Sequence, residues 1–535
     1  MIHGWRSSIH YWSRRGEAVK KAALMIALGS FFASWLLIPL MKPQGEPMLL
    51  DPLEQKVRED WKRLFQASDA RPRELSRWLR QLTPILPMLA DSLKMPVPTW
   101  VEYQTSGKLL TYEVKPLLAR HTSGAGQAVL LEDYLLACLS AKTPDAVTAA
   151  ERVREEAVRS VPLANELHAS LLLRETREAE ALAAFLREMT LFPEDQLTLD
   201  AATRLALKLK DDAVLRQISM GQWRGRLSPM MEHHVGLEIG DLRMQWRGLL
   251  RHRLSTLSWH ALSVGLFAAL IWYVILVQHI PAQTWRWLWP VLPMLAGIMS
   301  IWPTVSISAW QTRDLGIVEE APFPLDLWRL IIGVGLREEL CKLALAAFFM
   351  PWLLHRRSPG AALMTGAFVG LGFALEENLD YYQDHGIGVA LVRFLSANFL
   401  HVALTGIATH SLYDMLRSRF ARAQAFVSTL GTVVVAHALY DYQSPAMPEI
   451  SAYLPMLVLA VIAWQFWDLV EAEMPHSRQL IAPSAVFLIG TALVIAVSFI
   501  LGAVQTPGHD KLISTAMQCV GFLPVAVIYW RRLGA

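Results

Sequence analysis

Residues 327–354 read LWRLIIGVGLREELCKLALAAFFMPWLL, an apolar run with Arg337-Glu338-Glu339 and Lys342 near its middle. A helix that crosses a bilayer needs about 20 mostly apolar residues, and this run is long enough. An ionisable group at that depth costs roughly 2.5 to 3.5 kcal/mol on insertion scales, so three of them cost on the order of 8 to 10 kcal/mol unless they pair or face water. Lys342 follows Glu338 by four positions and Glu339 by three, so it can reach either carboxylate on one helical face. The run therefore reads as membrane-embedded, and its charges need a reason. One reason is a self-neutralised ion pair that specifies packing. The other is a polar cavity with chemistry in it.

Outward from this run, nine more windows have the length and apolarity of spans: 21–41, 257–278, 286–303, 360–382, 389–416, 423–442, 452–470, 480–503 and 512–530. The chain of 535 residues is 53% hydrophobic and 18% charged. Soluble domains run nearer 45–50% apolar and about 25% charged. These observations predict an all-α polytopic membrane protein of about ten transmembrane helices. The net charge of +3 comes with no basic stretch interleaved with aromatics, which argues against nucleic acid as a partner. Cys138, Cys341 and Cys519 are too few for a disulfide framework or a cysteine metal cluster.

Arg6, Arg14, Arg15, Lys20 and Lys21 precede the first window and predict a cytoplasmic N-terminus. A cleaved signal peptide is the rival reading; against it, the run is long and no small-x-small site precedes Lys42. Alternate crossing then puts 355–357, Arg417 to Arg422 and the tail Arg531-Arg532 inside, and the acidic loops Asp314 to Glu320 and Asp380 to Asp384 outside. The weakest span is 286–303, which is short and carries Pro290, Pro293 and interface-type tryptophans.

Residues 43–255 have the charge density of a soluble domain. Apolar residues recur at three and four spacing over 140–161, 165–176, 177–191 and 197–209, with breakers such as Phe192-Pro193 between them. Either a small tetratricopeptide-like array or an irregular helical bundle fits this pattern, on the extracytoplasmic side, with a recognition or regulatory role. The expected organisation is a basic N-terminus with the first span (1–42), the helical outer domain (43–255), spans two and three with an outer loop (256–325), a core (326–443) and three C-terminal spans (444–535).

The core carries the polar residues. Gly366 and Gly370 have the small-xxx-small spacing that lets a second helix approach closely. Glu376 and Glu377 point about 100° apart on a helix, so only one can face a site shared with Glu338 or Glu339. Glu377 and Tyr381 share a face. Asn398, His401 and Thr405 form one stripe, and His437 and Asp441 are four apart, a spacing at which a carboxylate can orient an imidazole. A lone membrane histidine is more often a packing residue than a ligand. At about 1.5 Å per residue, however, Glu338, Glu377, His401 and His437 all fall between the midplane and the outer surface, roughly 8 to 18 Å from it. Compatible depth on four successive spans favours one cavity.

Two hydrolytic mechanisms suit such a cavity. A glutamate can deprotonate water while a histidine and an asparagine hold the oxyanion. Alternatively His401, His437 and a carboxylate, for which Glu377 is a candidate, bind a zinc-like ion and the remaining glutamate is the base.

The ordered set Glu338-Glu339-x-x-Lys342, Gly370-Leu371-Gly372-Phe373-Ala374-x-x-Glu377-Asn378-x-x-Tyr381, Arg393 with His401-x-x-x-Thr405-Gly406, and His437-x-x-x-Asp441 resembles the PrsW-type intramembrane proteases, relatives of the CAAX prenyl endopeptidase and bacteriocin-processing membrane proteases. Lys342 and Glu377, where the prenyl endopeptidase branch has arginine and histidine, favour the PrsW branch. The resemblance implies cleavage of a membrane-anchored protein near the extracytoplasmic face of a bacterial inner membrane, for instance an anti-sigma factor. On this reading Glu338, Glu339, Glu377, His401 and His437 are catalytic, and Lys342, Asn378, Tyr381, Arg393, Thr405 and Asp441 support them. Zinc is the candidate cofactor. An ion-coupled transporter is the alternative of another class, since intramembrane Glu, Lys and His also mark ion pathways, but no internal repeat of the glutamate span is found. A non-catalytic receptor is the third.

Overall fold

The computed structural model describes residues 10–40, 129–131, 133–134, 137, 144–158, 161–281, 285–317, 324–442, 448–474, 479–505 and 508–534. The chain divides into two compact units, one of Met1–Gly45 with Leu257–Ala535 and the other of Glu46–Thr256. No strand occurs among the described residues.

Within the second unit lie α2 (Pro144–Val158), α3 (Ala164–Arg174), α4 (Glu178–Leu191), α5 (Gln196–Leu209), α6 (Asp212–Met220), α7 (Pro229–Glu238) and α8 (Leu242–Thr256); α1 (Gly16–Leu37) belongs to the first. Side chains that prefer the N-cap start several of them: Asp195 accepts from the Leu197 amide, Asp211 from Val214, and Ser228 from Met231 just before Pro229. The apolar stripes meet in a core that includes Leu172, Phe185, Met189, Leu199, Leu215 and Trp223. Pro144 and Glu178, the starts of α2 and α4, lie 34 positions apart, and Ala164 and Gln196, the starts of α3 and α5, lie 32 apart. These spacings are close to the tetratricopeptide period of about 34 residues.

The first unit continues with α9 (Trp259–Gln278), α10 (Val291–Leu315), α11 (Leu325–Arg329), a π-helix (Leu330–Leu336), α12 (Arg337–Ala347), α13 (Met350–Arg356) and α14 (Pro359–His385). It closes with α15 (Ala390–Leu395), α16 (Ala397–Arg417), α17 (Ala423–Asp441), α18 (Pro448–Glu473), α19 (Pro483–Gln505), α20 (His509–Gly521) and α21 (Leu523–Gly534). Among the described residues, 8 helices are long and apolar enough to cross a membrane, or 9 if α20 and α21, bent by 45°, make one span. The unit is an all-α polytopic bundle.

Two of the ten expected windows differ. The window 512–530 is the bent pair, and 327–354 is broken into α11, the π-helix, α12 and α13. The break has local causes: Gly333 and Gly335 loosen the π segment, and Pro351 cannot supply an amide to a continuous helix. The 286–303 window is the early part of a longer helix, α10, which carries Pro303 inside it.

Packing centres on α14. A Cβ at Gly366 would overlap the Thr405 carbonyl of α16, and one at Gly370 the His401 carbonyl. On another face, a Cβ at Gly372 would overlap the Met294 carbonyl of α10, and one at Gly297 of α10 the Val369 carbonyl. Glycine thus brings α14 into backbone contact with both neighbours. In the same unit Trp272 donates from Nε1 to the Phe394 carbonyl (2.8 Å), among Phe399, Phe487 and Tyr529.

Candidate active site

The π segment delivers the diglutamate. Gly335 lies so close to α17 that a Cβ there would stand 2.6 Å from the Val434 carbonyl. One turn further along α17 is His437, opposite Glu338 and Glu339 at the start of α12. His437 Nδ1 lies 2.7 Å from Glu339 Oε1, and its Nε2 lies 3.3 Å from Asp441 Oδ2 and 3.6 Å from Glu338 Oε2. Asp441 is thus one turn along from His437 on the same face, as its spacing predicts.

Lys342 is fully buried at the centre. Its ammonium pairs with Glu339 Oε1 (2.6 Å), lies 3.6 Å from Glu338 Oε2, and donates to His401 Nδ1 (3.0 Å). It also sits 4.1 Å from the centroid of the Phe373 ring, a cation–π contact in a desolvated place. With Nδ1 accepting from Lys342, His401 carries its proton on Nε2 and donates it to Glu377 Oε2 (2.8 Å).

Glu377 is fixed in turn by α15. Arg393 Nη2 bonds Glu377 Oε2 (2.6 Å), Arg393 Nε bonds Asn378 Oδ1 (2.6 Å), and the guanidinium lies 3.7 Å from the centroid of the Tyr381 ring. Asn378 donates to Asn398 Oδ1 (2.5 Å). Of the adjacent carboxylates on α14, Glu377 is the one that reaches Arg393 and His401. The Thr405 hydroxyl stands 3.5 Å from Glu339 Oε2.

The structure thus brings together all eleven residues named from the sequence, with one change of grouping. The carboxylate that stands with both histidines is Glu338: ligand atoms of Glu338, His401 and His437 lie within 4.8 Å of one another. Glu377 was the expected carboxylate, but Arg393 and the His401 proton occupy it. Glu338 Oε2 is buried and has no hydrogen-bond partner. A carboxylate beside two imidazoles is the kind of donor set that zinc takes in catalytic sites, so the residue types fit a divalent metal, which would displace one of the contacts that engage each ring here.

Three contacts were not read from the sequence as part of the site. Arg337 lies 3.9 Å from Glu338 Oε1 and bonds Gln311 Oε1 of α10 (3.1 Å). A lone amide in an apolar helix is a signal that could have found Gln311. Phe373 stands in the motif quoted above, but its contact with Lys342 had no signal of its own, since an aromatic residue in an apolar helix is ordinary.

The chain has no match among the curated proteins, and none among the solved structures. Over residues 283–467, a stretch that holds every residue of this cluster, the chain matches the model of the PrsW family intramembrane metalloproteases.

Proposed function

We propose that this protein hydrolyses a peptide bond of a membrane-anchored protein, with water activated among Glu338, Glu339, His401 and His437. The family match supports membrane protease activity in general. The observation that carries the finer reading is the convergence of Glu338, His401 and His437 around a buried carboxylate oxygen that has no hydrogen-bond partner. Those three residues would hold a divalent metal. A divalent ion held there would supply Lewis acidity to the scissile carbonyl and to the attacking water.

The remaining groups position and take protons. Glu339 Oε2, which has only the distant Thr405 hydroxyl, is the oxygen left to accept the proton of the attacking water. Lys342 balances the charge of Glu339 and is close enough to the histidines to stabilise a developing oxyanion. Glu377, held by Arg393, orients His401, and Glu339 with Asp441 orients His437.

The proposed substrate is a single-pass membrane protein, of which an anti-sigma factor is the example the family resemblance suggests. The proposed setting is a bacterial inner membrane with both termini inside and the 43–255 domain outside, which the basic inner loops support. A comparison of membrane proteomes from cells with the native chain and with Glu338→Ala, Glu339→Ala or His401→Ala tests the reading. A membrane protein shortened only by the native chain is expected; full cleavage in all three variants, each still inserted, would sink it. Metal content measured on the purified chain separates the two mechanisms: a bound divalent ion lost in His401→Ala and His437→Ala supports the metal, and its absence from active enzyme supports glutamate alone.

A further inference from the structure

A second polar space lies away from the catalytic cluster. A partly open cavity of about 310 Å3 is bordered by the turn that joins α14 to α15, the last turns of α19 and the first turns of α20. Lys511, His385 and Thr515 line it together with the apolar Phe499 and Leu512. No carboxylate lines it among the described residues. Ser498 also lines it, is 1% exposed, and has a hydroxyl with no hydrogen-bond partner. A serine inside a helix ordinarily bonds back to a carbonyl one turn earlier, and this one leaves its hydroxyl for something else.

The position of these residues relative to the spans is informative. Ser498 and Phe499 fall within the candidate span Pro483–Val504, whereas Lys511 is in the first turn of the bent pair that begins at His509, and His385 lies just beyond the span Pro359–Gln383. The cavity therefore straddles the boundary between hydrocarbon and headgroup, apolar on the membrane side and cationic and hydroxylic on the aqueous side. An inorganic anion would use only half of it. An amphiphile with a phosphate at headgroup depth would use both.

We propose that this cavity binds the phosphate-bearing headgroup of an anionic phospholipid, with Lys511 and His385 at the phosphate and Phe499 and Leu512 against the start of the chains. Gly386, Ile387 and Gly388, of the turn in which Gly386 has φ +76°, also line the cavity. That turn links α14, which carries Glu377, to α15, which carries Arg393. A lipid seated there holds both ends of that ion pair.

The test uses the full chain in nanodiscs of phosphatidylcholine with a minor fraction of phosphatidylglycerol, with retained adducts read by native mass spectrometry. Phosphatidylglycerol is expected to be retained over phosphatidylcholine. Lys511→Ala should lower that retention about tenfold, the value of one charge-assisted hydrogen bond. Ser498→Ala, a change with little risk to folding, should lower it severalfold, and Arg356→Ala, a cation outside the cavity, should leave it unchanged. Equal retention in all the variants would overturn the site. Inorganic phosphate added to discs of phosphatidylcholine alone distinguishes the source: phosphate adducts that depend on Lys511, without selective phosphatidylglycerol adducts, would overturn the lipid in favour of a soluble phosphate.

Discussion

Lys342 has no exposed surface and touches Glu339, His401 and Phe373 at once, so its removal leaves a buried carboxylate without its cation. Breaking such a pair by deleting one partner costs about 3–5 kcal/mol, while replacing both partners with apolar groups is often neutral. Lys342→Met is therefore expected to lower the unfolding temperature in detergent markedly, and Lys342→Met with Glu339→Leu to recover most of it; a double-mutant cycle with no coupling would refute the pairing. Arg393 acts through its fork, which grips Glu377 and Asn378 together. Arg393→Lys keeps the charge but loses that geometry, and a fall of roughly 10- to 100-fold in cleavage rate is expected from a substrate time course. At this scale much was readable in advance, because ionisable residues in apolar spans are few and helical spacing says which of them share a face. The partition of carboxylates between the histidines was not, since Glu338 and Glu377 differ only in what the third dimension sets beside them.

Among the elements, the π-helix of Leu330–Leu336 matters most for the site. A π turn holds one residue more than an α turn, so residues after it are rotated by about 100° relative to a continuous α-helix. Deleting Ile332 should restore α geometry, turn Glu338 and Glu339 away from His437, and abolish cleavage in a chain that still inserts. Hydrophobic periodicity could not reveal this feature, because a run apolar on all sides shows no phase to slip. The glycine seams were readable from their spacing, though the sequence did not say that α14 uses them on two sides. In the other unit, Glu188 is buried on α4 and accepts from the Leu163 amide (2.6 Å), and burial raises its pKa above the ordinary carboxylate value. A raised acid stabilises the fold fully below the unfolded pKa, and that contribution is lost as pH rises through the folded one. Hydrogen exchange across α3 and α4 in the full chain should therefore speed up as pH rises through this window, after correction for intrinsic rates. Glu188→Gln should remove the effect.

For the whole molecule, ten windows of suitable length become eight candidate spans, one of them divided at Ser396, a bent pair and a broken segment. Length and apolarity measure whether a segment can leave water, and say little about whether it does so as one straight helix. The charged group Arg337 to Lys342 sits in the segment that is broken, where irregular backbone is tolerated because protein surrounds it. The pairing of Glu377 with Arg393 has a consequence for biogenesis. A carboxylate entering hydrocarbon alone is penalised by roughly 2.5 to 3.5 kcal/mol. Its cation follows 16 residues later, across the turn, so α14 and α16 can pass from the insertion machinery as one hairpin with this pair already neutralised, closed by the Gly366 and Gly370 seam. Arg393→Ala should leave α14 partly uninserted, read as accessibility of an engineered cysteine beside Glu377 to a membrane-impermeant reagent. An ion pair that serves the finished site would then also serve as the entry permit of the helices that carry it.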